Sequence, residues 1–167
     1  MPRPFRRRGD RFVVSLGARE RELLTEIARH SRELLEAEDP SSDTAVARLF
    51  PPAYQDDPLQ NLEFESAQGD APRRGKLEAI ETLERTVDAS EVTEEEVLAW
   101  VGVVNDARLV LGTRIAITEE ATEETYPPDH PDRDAFEVYV YLTWLEERMI
   151  RALGDPPVGE AASSSGG

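Results

Sequence analysis

Two stretches of the chain repeat apolar residues every three or four positions, and a compact fold cannot leave either in water. From Glu94 to about Ile115 the run is Val97, Trp100, Val101, Val104, Leu111 and Ile115; from about Asp132 to Leu153 it is Phe136, Tyr139, Leu142, Met149, Ile150 and Leu153. At about 100° per residue each set falls on one side of an α-helix, so two long helices must bury those sides against other elements. Thr93 and Glu96 form a capping-box pair ahead of the first run, and Gly154 followed by Pro156 closes the second. Ala18 to about Glu36 is a third amphipathic stretch, with Leu23, Leu24, Ile27, Leu34 and Leu35 on one side and His30 in the same stripe, expected in the core. Lys76 to Val87 is a fourth, turning Leu77, Ile80, Leu83 and Val87 inward.

The rest of the chain reads differently. Within residues 5–16, Phe12, Val14 and Leu16 alternate with Val13 and Ser15 behind an Arg8-Gly9-Asp10 turn, the pattern of a β-hairpin. Two strands alone are marginal in water, so this ribbon should pack on the helices. Pro40, Pro51, Pro52 and Pro58 make residues 38–58 an irregular connector, pinned to the core by Phe50 and Tyr54. Asp57-Pro58 suits the start of a short helix carrying Leu59, Leu62 and Phe64, broken between Gly69 and Gly75. Residues 118–131 form an acidic loop closed by Tyr126-Pro127-Pro128. The expected architecture is mainly α: a bundle of about four to five helices with a small N-terminal β-hairpin, one domain over 1–153 and a disordered tail over 154–167.

Charge and residue usage narrow the function. The net charge is −16 over 167 residues. Residues 1–11 run the other way: Arg3, Arg6, Arg7, Arg8 and Arg11 against Asp10 give +4, leaving −20 for the remainder. Such a field repels nucleic-acid phosphates, so direct DNA contact is not expected, and the arginines are a candidate surface for a protein partner. Charged residues also guard edge strands against aggregation, which is the structural alternative for the same arginines. The absence of cysteine rules out disulfides and thiolate ligands within the chain. No apolar run approaches the roughly 20 residues of a membrane helix. A cytoplasmic protein without a membrane anchor is expected.

Catalytic machinery is not evident. His30 and His130 are the only histidines, and no nucleophile elbow, Gly-rich phosphate loop or inward Glu-x-x-His metal motif accompanies them. The acidic runs Glu94-Glu95-Glu96 and Glu119 to Glu124 fit a helix start and a solvated loop. The expectation is a non-enzyme with no cofactor and no metal. One feature departs from blandness. Arg108 projects from the apolar side of the 94–115 helix, and Glu146 from that of the last helix. A lone buried charge is costly, so Arg108 is expected to pair with Glu146, with Asn105 at the edge of a structural polar network.

Four strings, PFRRRGDRFVVSL at 4–16, ARLFPPAYQDDP at 47–58, WVGVVNDARLVLGTRIAIT at 100–118 and FEVYVYLTWLEERMIRAL at 136–153, resemble a family found in actinobacteria. Formerly a domain of unknown function, it is associated with an oxidative-stress-responsive transcription regulator. The resemblance implies a protein that joins an alternative sigma factor of RNA polymerase. Its genes often neighbour that of the Clp protease adaptor, which implies an alternative role in regulated proteolysis. Asn105, Asp106, Arg108, Gly112, Arg114 and Trp144 match the family pattern. Redox sensing in that regulator is attributed to a cysteine pair, which this chain lacks.

Overall fold

A computed structural model of the chain describes residues 3–37, 43–50 and 71–156. The elements are β1 (Phe5–Arg8), β2 (Arg11–Val14), α1 (Ala18–Glu36), α2 (Thr44–Ala47), α3 (Ala71–Thr86), β3 (Glu91–Thr93), α4 (Glu94–Arg114) and α5 (Arg133–Gly154). The chain is mainly helical with a small N-terminal sheet, as its periodicities require. The sheet has one strand more than the hairpin: β3 adds antiparallel to β2, giving the order β1-β2-β3. Three residues running straight into a helix cap carry too little alternation to be read as a strand.

The hairpin turns at Gly9, whose φ of 65° is open to glycine without steric cost. Sheet register then fixes the faces. Phe5 lies opposite Val14 and Phe12 opposite both Arg7 and Val92, all on the inner side. Phe5 meets the fully buried Trp100 edge-on, with ring centroids 5.8 Å apart. The Trp100 indole N–H donates to Thr86 Oγ1 at 2.8 Å, which itself donates to the Thr82 carbonyl, so the largest core side chain keeps its polar atom satisfied.

Helices α1, α3, α4 and α5 pack in that sequence, each on the next, with the sheet against α4 and α5. Flanked on two sides, α4 buries Val97, Trp100, Val103, Val104 and Val110, apolar around most of its girth. Its N-terminus carries the Thr93–Glu96 capping box, with Glu96 N to Thr93 Oγ1 at 3.2 Å and Thr93 N to Glu96 Oε1 at 2.8 Å. Its C-terminus closes with Ala116 N to Thr113 O and Ile117 N to Gly112 O, which requires Ala116 at φ 52°.

Several expectations need correction. His30 is exposed, because the buried line of α1 is Leu24, Ala28 and Leu35 and His30 lies off that line. Ile150 is 52% exposed, while Leu145, outside the expected stripe, is fully buried. The stripe on α5 is rotated because the helix packs on α4 and on the sheet together. Helix α3 begins at Ala71, so Pro72 sits in its first turn, where no N–H is needed, and Gly75 lies inside it. Part of the connector is a one-turn helix, α2, capped by Asp43 Oδ1 accepting from Ala45 N at 2.9 Å. Phe50 does pack on the core beneath Lys76. The acidic loop carries a second small core of Ile115, Tyr126 and Phe136, with His130 half-buried against the Tyr126 ring. Tyr54, the short helix of Leu59, Leu62 and Phe64, and the tail beyond Pro156 lie outside the described residues. No helix among the described residues is long and apolar enough to cross a membrane.

Candidate functional site

The interior ionic groups meet one another. Arg108 Nε lies 3.0 Å from Glu146 Oε2, with both side chains mostly buried between α4 and α5. The close approach is ionic, since Arg108 Nε is not aligned for a hydrogen bond. The other guanidinium nitrogens supply those: Nη2 donates to Asn105 Oδ1 at 3.1 Å, and Nη1 to the Tyr139 hydroxyl at 3.3 Å. Thus the structure brings together Asn105, Arg108 and Glu146 and adds Tyr139, whose ring also lies beneath the guanidinium. At the same level Gly112 allows close approach: a Cβ there would sit 3.1 Å from the Tyr139 ring and 3.0 Å from Ile117.

Three further contacts were not legible in the sequence. Arg21, outside the apolar stripe of α1, donates to four backbone carbonyls: Val14 (3.3 Å), Leu16 (3.2 Å), Val87 (2.6 Å) and Ala89 (3.0 Å). It ties the exit of β2 to the segment joining α3 and β3. Tyr141 donates to Glu20 Oε2 at 2.6 Å, while Glu20 Oε1 accepts from Gly17 N at the start of α1. Burial, and then that bond to Glu20, hold the Tyr141 phenol well above its ordinary pKa. Lys76 and Asp106 pair at 2.9 Å between α3 and α4. A spacing argument sees only one helix at a time, and each of these links joins separate elements.

A cavity of about 730 Å³ opens between α1, α3 and α4, lined chiefly by apolar side chains such as Ile27, Leu34, Ile80, Val103 and Val110. His30 and the Lys76–Asp106 pair also line it. Among the described residues, no group of three or more histidine, cysteine, aspartate or glutamate side chains is arranged to hold a metal ion.

The N-terminal arginines separate into two kinds. Arg7 is not part of an open surface: it points inward, donates to the carbonyls of Leu153 (3.3 Å) and Asp155 (3.2 Å), approaches Glu94 and covers the Phe12 ring. It caps the C-terminus of α5, where a cation is favoured by the helix dipole. Arg3, Arg6, Arg8 and Arg11 are exposed, and of these Arg8 approaches Glu91 at 3.7 Å.

Comparison with known proteins follows the same span. The family described as Domain of unknown function (DUF2017) matches residues 2–153, nearly all of the chain ahead of the tail. The chain belongs to this family. Proteins named "Oxidative stress regulator AosR" from Mycobacterium bovis and from Mycobacterium tuberculosis strain H37Rv are each 28% identical to it over 184 aligned residues, covering 88% of this chain and 84% of theirs. A Mycobacterium leprae relative is 31% identical over 128 residues, covering 66% of this chain and 58% of its own length. No solved structure matches the DUF2017 chain.

Proposed function

We propose that this chain is a non-enzymatic regulator of the oxidative stress response that acts in the cytoplasm by protein–protein contact with the transcription machinery, an alternative sigma factor or RNA polymerase itself. The observation carrying this reading is its similarity, over most of both chains, to relatives named as oxidative stress regulators. The interior supports it. Arg108 is neutralised by Glu146 and Lys76 by Asp106, and Arg21 is spent on backbone carbonyls, so these cations have structural partners. Arg3, Arg6, Arg8 and Arg11 keep their charge on the surface, which suits recognition better than bond making. Without cysteine the chain has no thiol to oxidise, and Met149 is fully buried, so in this reading the oxidant is sensed by another component.

The test is purification of the tagged, full-length chain from its own cells before and after peroxide. RNA polymerase subunits or a sigma factor should co-purify reproducibly. Recovery of no transcription component under either condition overturns the proposal, and recovery of Clp components in their place would assign the chain to regulated proteolysis.

A further inference from the structure

We propose that the outer face of the three-stranded sheet is a docking surface for an acidic segment of a partner protein, gripped by Arg6, Arg8 and Arg11. This rests on the protein-contact reading above and names the chemistry of the contact.

Sheet register makes the argument. The pairs Arg6–Val13 and Arg8–Arg11 lie on the face opposite the core, as do Thr93 beside Arg11 and Glu91 beside Val13. Successive outward positions on a strand lie about 7 Å apart, and neighbouring strands about 5 Å apart. The three guanidinium groups therefore project from one small patch. Arg8 and Arg11 are direct cross-strand partners, a like-charge arrangement that weakens a sheet. Glu91 answers it only in part: its contact to Arg8 is 3.7 Å, and the Arg8 side chain remains 73% exposed. Arg6 and Arg11 form no ion pair among the described residues. On the inner side Arg7 caps α5, whereas on the outer side Arg8 alone of the three meets a carboxylate, that of Glu91, among the described residues. A carboxylate-bearing partner would relieve that repulsion.

The wider field selects the occupant. Away from residues 1–11 the chain carries −20, so a nucleic acid extending beyond the patch meets a net repulsive field. A short acidic peptide segment is held by the patch alone. A second copy of this chain also offers acidic surface, but patch-to-body contact is heterologous and would build rings or open chains, which the self-association readout below detects.

The probe is a synthetic peptide of alternating glutamate and threonine, about a dozen residues long, titrated against the full chain at low and high salt. Its glutamine counterpart and a short DNA duplex serve as comparisons. The variants are Arg6→Glu/Arg8→Glu/Arg11→Glu and a charge-matched control, Arg19→Glu/Arg74→Glu/Arg85→Glu, altering exposed helix positions. Circular dichroism and melting temperature verify that both fold. The glutamate peptide should bind with steep salt dependence, and the sheet variant should weaken it about tenfold or more while the control leaves it within about twofold. No binding at low salt, equal loss in the control, tighter binding of the duplex, or salt-sensitive self-association in place of peptide binding would each overturn the proposal. If the sheet variant still co-purifies transcription components, the docking face is wrong while the regulator reading stands. If the wild type co-purifies none, the regulator reading falls whatever the peptide does.

Discussion

Arg108 of α4 and Glu146 of α5 stand 3.0 Å apart across the helix interface, both side chains mostly buried. Removing either leaves the other mostly buried and unpaired. Breaking a fully buried pair costs roughly 3–5 kcal/mol, and partial exposure should reduce this to about 2 kcal/mol for Arg108→Met or Glu146→Leu alone. The double variant should recover most of that loss, because two apolar side chains of similar size replace a desolvated ion pair. Urea denaturation of all four proteins gives the coupling energy directly. Additive losses would mean that the two side chains act independently.

Arg21 is the residue whose loss should be felt most widely, since four carbonyls from two segments distant in sequence converge on it. Hydrogen bonds to a charged group contribute about 1.5–3 kcal/mol, and buried carbonyls left without a donor add to the loss. Arg21→Met should cost about 3 kcal/mol in denaturant unfolding. Arg21→Lys should restore less than half, because an ammonium cannot reproduce the planar fork.

Two glycines of α4 should respond with opposite sign to the same change. Gly102 is exposed with open space around it, so Gly102→Ala should stabilise by about 0.5–1 kcal/mol through helix propensity. At Gly112 the new methyl meets the Tyr139 ring and Ile117, and overpacking of about 1–3 kcal/mol should outweigh that gain. Thermal melts of the two variants decide the matter.

Ala116 ends α4 in the left-handed region that glycine tolerates best. Ala116→Gly should therefore raise stability by about 0.5–1 kcal/mol, unlike most changes to glycine. A lowered melting temperature would show that the two closing hydrogen bonds do not depend on that conformation.

Tyr141 makes stability depend on alkaline pH. In the unfolded chain its phenol ionises near pH ~10, whereas burial and the bond to Glu20 keep it protonated to higher pH in the fold. Above about pH 10 the native state holds a proton that the unfolded state has lost, so stability falls as pH rises; below that pH the contribution is complete. Between about pH 9 and 11 the wild type should lose more stability than Tyr141→Phe, and its ultraviolet phenolate titration should show a late component that the variant lacks.

The sequence by itself determined the elements whose residues repeat along one helix or strand. The hairpin turn at Gly9, the capping box of Thr93 and Glu96, and the course of α1, α4 and α5 depend on neighbours within a few positions, so local spacing suffices. The charges at Arg108 and Glu146 were legible for the same reason: each interrupts an apolar side, and a buried charge demands a partner. Tertiary structure alone decided what lies opposite what. It put β3 on β2, turned Ile150 and His30 outward while Leu145 went in, and sent Arg7 to the end of α5 and Arg21 to four carbonyls. A helix flanked on two sides buries a broader and rotated arc, and a long arginine reaches groups far away in sequence. Neither effect leaves a trace in periodicity, because both depend on where separate elements come to rest.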